Sequence, residues 1–336
     1  MVNLQSEFLE FHDNIKLDDE NKILREKRDI LLKKLKENIS DDAATYSTFN
    51  QGSYAMGTGI KPEEEDYDID VGLRFDIDHE DYEDPIIPKK WVRDALDGHT
   101  KSVKIRRSCV TVTYQKDNEP IYHVDFAVYA NDNADGNMYI AKGKEFSEEN
   151  NKYWEISDPQ GLIDKINGRF TDSEERHQFK RIIRYMKKWK VHNSSLTGNG
   201  APTGIALTVL AYDNFVVSKE YDIYASKYVY NDFDALHTFV SAIKNCFELK
   251  YDIESEEFYR SIKVFLPVEP SNNLFDKMTT KQMDTLYKEI CTMEEKLNSV
   301  LTKTKKSEAC EILVQLFGED FPITVDKSVV GTSESA

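Results

Sequence analysis

Asn50-Gln-Gly-Ser-Tyr-Ala-Met-Gly-Thr-Gly59, followed shortly by Asp66-Tyr-Asp-Ile-Asp-Val-Gly72, is the stretch whose reading decides this chain. Just before it, Ala44 to Phe49 is β-branched and aromatic, the composition of a strand. Gly52 and Ser53 then break the strand. A glycine at such a turn lets the backbone come close to a ligand, and the serine beside it can offer N–H and O–H together to a phosphate. A second strand is expected over Tyr67 to Phe75. Alternation along it puts Asp68 and Asp70 on one face and Tyr67, Ile69 and Val71 on the other. Two carboxylates on one face, roughly 6–7 Å apart at Cα, can close on a pair of divalent cations.

A third acid, Asp125, lies inside Ile121-Tyr-His-Val-Asp-Phe-Ala-Val-Tyr129. A carboxylate in so apolar a run is costly unless it is paired or bound to metal. Its structural alternative is an ion pair with a strand arginine, Arg106 or Arg107. If the Asp125 strand lies beside the Asp68–Asp70 strand, all three carboxylates reach one edge.

Gly-Ser, then Asp-x-Asp, then a later lone Asp on a strand resembles the polymerase-β-like nucleotidyltransferases. The longer string Q-G-S-Y-A-M-G-T-G-I-K-P…D-Y-D-I-D-V-G resembles more specifically the bacterial CD-NTases of anti-phage CBASS systems. These are relatives of cyclic GMP–AMP synthase and 2′-5′ oligoadenylate synthetase. The resemblance implies an α+β fold: a mixed β-sheet lobe, a helical C-terminal lobe, and an active site in the cleft between them. It implies Asp68, Asp70 and Asp125 as catalytic metal ligands for two Mg²⁺ or Mn²⁺ ions, with Gln51, Gly52 and Ser53 on the donor phosphates. ATP and GTP are the expected substrates, a cyclic dinucleotide (cyclic GMP–AMP first) the expected product, and a downstream effector its receiver. A macromolecular acceptor, RNA or protein, would use the same site. A degenerate nucleotide-binding module is the non-enzymatic alternative, and the retained acids count against it.

The chain has 336 residues and a formal net charge of −17. That argues against extended contact with a nucleic-acid backbone but not against a nucleotide in a locally basic pocket. No Cys/His zinc insertion is present, so activation by duplex DNA or RNA is not expected. Cys109, Cys246, Cys291 and Cys310 are widely spaced and read as reduced thiols. Met1-Val-Asn-Leu-Gln lacks a basic then apolar leader, and no apolar run is long enough to span a membrane. A cytoplasmic protein without membrane contact is expected.

In chain order, four regions are expected: N-terminal helices over 1–40, a catalytic lobe over 41–152, a helical lobe over 153–323, and a tail over 324–336. Leu4, Phe8, Phe11 and Ile15, then Leu24, Leu31, Leu35 and Ile39, mark amphipathic helix. Pro88 to Leu96 reads as helix, Val103 to Gln115 and Ile121 to Tyr129 as a strand pair, and Met138 to Ala141 as a short strand. Ser173 to Val191 is a helix whose apolar stripe is Phe179, Ile182, Ile183, Met186 and Trp189. Arg176, Lys180, Arg184 and Lys187 form a neighbouring cationic stripe, which is either solvated surface or an anion site. Lys187-Lys-Trp189 resembles the oligoadenylate-synthetase pattern whose lysine meets the donor triphosphate. Pro202-Thr203 opens a helix expected to run to Val217, and Thr203 is either a plain cap or, as the resemblance implies, part of the nucleotide pocket. Asp232 to Leu249, Thr279 to Leu301 and Ser307 to Phe317 are further helices, with a Pro- and Asn-rich loop over Phe265 to Phe275. In some CD-NTase operons a ubiquitin-ligase-like partner conjugates the enzyme's C-terminus. By that resemblance Ala336 is the candidate point of attachment.

Overall fold

The computed structural model describes residues 2–17, 19–62, 67–117, 119–253 and 256–324. Two helices open it, α1 (Gln5–Ile15) and α2 (Asp19–Asn38). They belong to different compact units. α1 joins the helical unit, with Asp172–Val264 and the chain from Phe275 on, while α2 lies in the sheet unit, Leu17–Thr171 with Phe265–Leu274.

The sheet unit continues with β1 (Tyr46–Asn50), α3 (Gly52–Met56), β2 (Tyr67–Phe75), α4 (Ile86–Leu96), β3 (Ser102–Ile105), β4 (Val110–Lys116), β5 (Glu119–Ala130), β6 (Tyr139–Lys142), β7 (Tyr153–Ile156) and α5 (Pro159–Asn167). Its sheet runs β1-β2-β5-β4-β3, with β6 and β7 added beyond the end of β5. β2 and β5 are parallel, and their neighbours β1 and β4 run antiparallel to them. One face of the sheet is apolar. There Ile69, Val71, Leu73, Val110, Val112, Val124 and Phe126 pack under Leu24, Leu31 and Leu35 of α2 and Val92 and Leu96 of α4. Each such buried side chain is worth about 1.5–3 kcal/mol. Period-two alternation therefore commits the intervening residues, Asp68, Asp70 and Asp125 among them, to the other face.

Two expectations change here. Val103 to Gln115 is not one strand but a hairpin, because Arg106-Arg107-Ser108 interrupts the alternation and Arg106 N–H bonds Cys109 C=O at 2.8 Å. The turn is pinned by Lys89, wholly buried, whose ammonium donates to the carbonyls of Arg106 (3.0 Å), Arg107 (2.9 Å) and Gly143 (2.9 Å). The boundary expected after residue 152 falls instead at Thr171, since β7 pairs with β6 and Trp154 donates to the Tyr82 carbonyl. The loop 265–274 also belongs to this unit, held by Asp158 N–H to the Glu269 carbonyl at 3.1 Å.

The helical unit holds α6 (Ser173–Asn193), α7 (Gly204–Asn214), β8 (Lys219–Asp222), β9 (Lys227–Tyr230), α8 (Asp232–Asn245), β10 (Glu248–Asp252), β11 (Glu257–Ser261), α9 (Thr280–Leu301) and α10 (Lys306–Phe317). The apolar stripe expected on α6 is buried throughout. Rings from α1, α6 and α10 meet in its core, Phe11 against Tyr185 at 5.1 Å and against Phe317 at 4.9 Å between centroids. Asp232, fully buried at the start of α8, accepts from Arg181 Nε (2.6 Å) and Nη2 (2.8 Å), from the Tyr185 hydroxyl (3.0 Å) and from Gln178 Nε2 (3.2 Å). α8 ends at Asn245, short of the expected Leu249, because Glu248–Asp252 pairs as a hairpin with Glu257–Ser261. That hairpin and the β8–β9 one were not anticipated from sequence. α7 likewise closes at Asn214, before Val217. Among the described residues no helix is long and apolar enough to cross a membrane. Ala336 and the tail before it lie outside the described residues, as does Asp66.

Candidate active site

β2 and β5 lie side by side in parallel with Asp70 directly opposite Asp125 and Asp68 opposite His123. The three carboxylates meet on the polar face, their nearest oxygens all within 4.8 Å of one another. Asp68 is exposed, and Asp70 and Asp125 are half-buried. The alternative partner for Asp125, Arg106 or Arg107, is not used: the Arg107 guanidinium donates to the Tyr153 hydroxyl at 2.9 Å. Asp125 Oδ1 is instead buried with no hydrogen-bond partner. A buried acceptor in that state is rare in folded proteins and costs about 1–3 kcal/mol unless something fills it. Three clustered carboxylates with one oxygen left open form a hard oxygen donor set, which suits a divalent cation of the Mg²⁺ or Mn²⁺ kind.

Gly52 turns the chain from β1 into α3 at φ +66°, the left-handed region that favours glycine. A Cβ at this position would lie 1.8 Å from Asp70 Oδ2, so the glycine is required twice, by its backbone angle and by the carboxylate beside it. Gln51 ties the turn to the acids: its N–H donates to the Asp70 carbonyl at 3.2 Å, and its Oε1 accepts from the Tyr129 hydroxyl at 2.8 Å. Burial first, then the charge of Asp70, pushes the Tyr129 phenol up and keeps it protonated as that donor. Ser53 sits one residue into α3, half-buried, its carbonyl accepting from Thr58 N–H at 2.9 Å.

Three neighbours of Asp125 were missed in the sequence. Thr111 of β4 stands directly across from it. The Cys109 thiol, just ahead of β4, lies 3.5 Å from the Thr111 hydroxyl. Burial, with the Asp125 charge second, pushes that thiol up to about 12. His123, two residues before Asp125, shares its face, and its Nδ1 lies 3.1 Å from the Thr113 hydroxyl. Period two from Asp125 was the available signal for His123. Thr111 and Cys109 depended on strand pairing, which one chain segment does not reveal.

Lys187 and Thr203 lie in the helical unit, and there they are neighbours. Lys187 is buried on α6, and a Cβ on Gly204 would sit 3.4 Å from its Cε. Thr203 is the cap of α7, its Oγ1 accepting from Ala206 N–H at 3.2 Å, so the capping role is realised. Along the cationic stripe of α6, the Arg184 guanidinium faces His12 Nε2 at 3.2 Å.

A mixed sheet carrying a Gly-Ser turn beside three convergent aspartates defines the nucleotidyltransferase fold. Residues 47–129 match the family described as cyclic GMP-AMP synthase DncV-like, nucleotidyltransferase domain. A cyclic GMP-AMP synthase of Escherichia albertii is 28% identical over 170 residues, 48% of this chain and 35% of its own. The match thus spans about a third of that relative's length. Among solved structures, CdnC of E. coli MS115-1 with ATP superposes with a TM-score of 0.66 at 19% identity, covering 96% of this chain and 99% of its own. The Bradyrhizobium diazoefficiens CD-NTase CdnG with GTP gives 0.65 at 13% identity, covering 94% and 95%. At these identities the structural likeness is one of fold. Residues 50–72, which carry the resemblance to CD-NTases, lie within the stretch that the family model matches.

Proposed function

We propose that this protein joins ribonucleoside triphosphates into a cyclic oligonucleotide messenger for antiviral defence, a cyclic dinucleotide with cyclic GMP–AMP favoured. The observation that carries the reading is the convergence of Asp68, Asp70 and Asp125 with one carboxylate oxygen left open, against a turn that only glycine permits. Asp68, Asp70 and Asp125 would hold two divalent ions, Mg²⁺ or Mn²⁺, which when bound neutralise donor-phosphate charge and acidify the attacking ribose hydroxyl. Gln51, Gly52 and Ser53 would bind donor phosphates through N–H and O–H groups. Thr111 would orient Asp125 from the adjacent strand. Lys187 would meet the triphosphate as a point charge, and Thr203, whose oxygen already accepts a cap bond, still has its O–H to donate.

ATP and GTP are the substrates in this reading, and an effector of matching pocket receives the product. A macromolecular acceptor uses the same acids, but a net charge of −17 weighs against a polynucleotide. Conjugation of Ala336 by a ligase-like partner is a further part of the reading, tested by mass spectrometry for an isopeptide at that residue.

The deciding experiment is incubation of the purified protein with all four labelled ribonucleoside triphosphates and Mg²⁺ or Mn²⁺, with the products resolved chromatographically. A phosphatase-resistant cyclic purine dinucleotide is expected. Label transferred only to added RNA or protein would replace the reading with its alternative. A product requiring UTP or CTP would overturn the base choice alone. Added long duplex DNA or RNA is expected to leave the rate unchanged; a strong rise suppressed by salt would contradict that.

A further inference from the structure

One free edge of the sheet lies at β3. β3 is the last strand, and among the described residues β4 is its only strand neighbour. Bonded and non-bonded pairs alternate along an antiparallel ladder. Arg106 N–H bonds Cys109 C=O, so the pairs Lys104–Thr111 and Ser102–Thr113 repeat that state every second residue. Val103 and Ile105 therefore turn their N–H and C=O groups outward, while their side chains pack against the core. Such an edge is a template for one more strand unless it is blunted or covered.

Against this edge lies a cavity of about 350 Å³, lined by β3 itself with Arg93, Arg106, Lys144, Glu145 and Phe146. Glu145 is already matched, 2.7 Å from Arg93 Nη1 and 4.0 Å from Lys90 Nζ. Among the described residues Lys104, Arg106 and Lys144 form no ion pair. Three uncommitted cations along one groove are out of character for a chain of net charge −17. Phe146 stands over the groove 95% exposed. The edge does not flex freely, because buried Lys89 fastens the β3–β4 turn and Gly143, just ahead of Lys144, to one ammonium. A rigid edge lowers the ordering cost of adding a strand.

We propose that the β3 edge is a docking site for an extended acidic peptide segment of a partner protein. The segment adds as a strand through the outward amides and carbonyls of Val103 and Ile105. Its acidic side chains meet Lys104, Arg106 and Lys144, and an apolar side chain meets Phe146. Main-chain bonds supply the affinity and side-chain pockets the selection, as in other strand-addition interfaces. A nucleotide or other polyphosphate would satisfy the cations but has no use for alternating backbone groups, so the peptide is the better match.

The test uses the full chain and a fluorescein-labelled, end-capped hexapeptide of alternating Glu and Val, with alternating Lys and Val as control. Polarisation should show binding of the acidic peptide only, and hydrogen exchange should show new protection at Val103 and Ile105 N–H. Lys104→Glu with Lys144→Glu should weaken binding at least tenfold. Ile105→Pro should do the same. It deletes one outward N–H and none of the bonds to β4, a change that edge strands accept. Exchange on the unmodified protein decides the matter even if that variant misfolds. No acidic-peptide binding, or binding without protection of those two amides, overturns the proposal. Displacement of the peptide by inorganic tripolyphosphate with Ile105→Pro binding as the native chain would make the groove an anion pocket and also overturn it.

Discussion

Asp125, half-buried with one oxygen fully enclosed, and Asp232, wholly buried, are finished in opposite ways. Asp232 is wholly enclosed, and both its oxygens are used, by a two-pronged Arg181, by Tyr185 and by Gln178. Asp125 keeps one buried oxygen without a partner and faces two further carboxylates across the adjoining strand. Folding alone favours the first arrangement, because an unmatched buried acceptor and clustered like charges both cost free energy. An arrangement that folding penalises, yet that the sheet holds in register, is a place prepared for a ligand. On the proposed function, the completed carboxylate is structural and the incomplete one holds an ion.

Asp70→Asn, or Asp68→Asn, is the strongest test of that division. Either change keeps side-chain volume and removes an ion-holding charge, so nucleotide transfer should fall by about 10³ or more, on the order of 4 kcal/mol of barrier. Melting measured with and without Mn²⁺ separates the roles: the native protein should gain stability from the ion and the variants should not. Native-like turnover by either variant would break the comparison at its functional end.

At the structural end, Asp232→Ala leaves the Arg181 guanidinium buried without its partner. The expected loss is about 3–5 kcal/mol in denaturant unfolding of the helical unit. Asp125→Asn should leave stability within about 1 kcal/mol of the native chain, or raise it, while activity disappears. If the two variants proved equally destabilised, the open oxygen of Asp125 would carry no special meaning.

Much of this contrast was legible in the sequence, though unevenly. Asp68, Asp70 and Asp125 declared themselves because period-two alternation on a strand fixes the face of each side chain, and because an acid inside Ile121–Tyr129 has no cheap place to go. β2 was read to the residue for the same reason. Asp232, by contrast, is only the first residue of one more amphipathic helix in the sequence. Its importance depends on Arg181 and Tyr185, residues 51 and 47 positions away, and such pairing leaves no local mark. The β3–β4 turn was hidden similarly, since buried Lys89 reads in the sequence as one more surface lysine. β8–β9 and β10–β11 were missed because the apolar residues on their strands, such as Tyr221, Tyr228, Leu249, Tyr251 and Phe258, are exposed and face no core.

Gly52→Ala sharpens the comparison by disturbing Asp70 without touching its charge. Alanine at φ +66° costs about 1–2 kcal/mol, and the new Cβ must displace a carboxylate oxygen 1.8 Å away. Transfer rates should drop about tenfold to a hundredfold, the scale expected of a misplacement near 1 Å. The apparent Mn²⁺ affinity should weaken in parallel. Equal loss from Gly52→Ala and from the control Gly98→Ala, a left-handed glycine with open space around its Cβ position, would reduce the effect to backbone strain alone.

The smallest expected effect concerns the cationic stripe of α6, where the same question arises with the signs reversed. His12 Nε2 faces the Arg184 guanidinium at 3.2 Å, so the neutral ring accepts what the arginine donates. Burial first, then the charges of Arg184 and Arg181, lower its pKa from 6.5 to about 4, with nearby Asp13 opposing them. In the unfolded chain the ring takes a proton as pH falls through about 6.5, whereas in the folded chain it stays neutral down to about 4. Proton binding across that window therefore favours the unfolded chain. The stability that depends on neutral His12 is fully present above pH 6.5 and is lost progressively down to about pH 4. His12→Gln keeps an acceptor for Arg184 and removes the titration. Urea midpoints measured from pH 7 to pH 4 should fall less steeply for the variant than for the native chain. Identical slopes would mean that Arg184 is not held by His12, and would return this part of the stripe to the anion-binding reading that Lys187 carries.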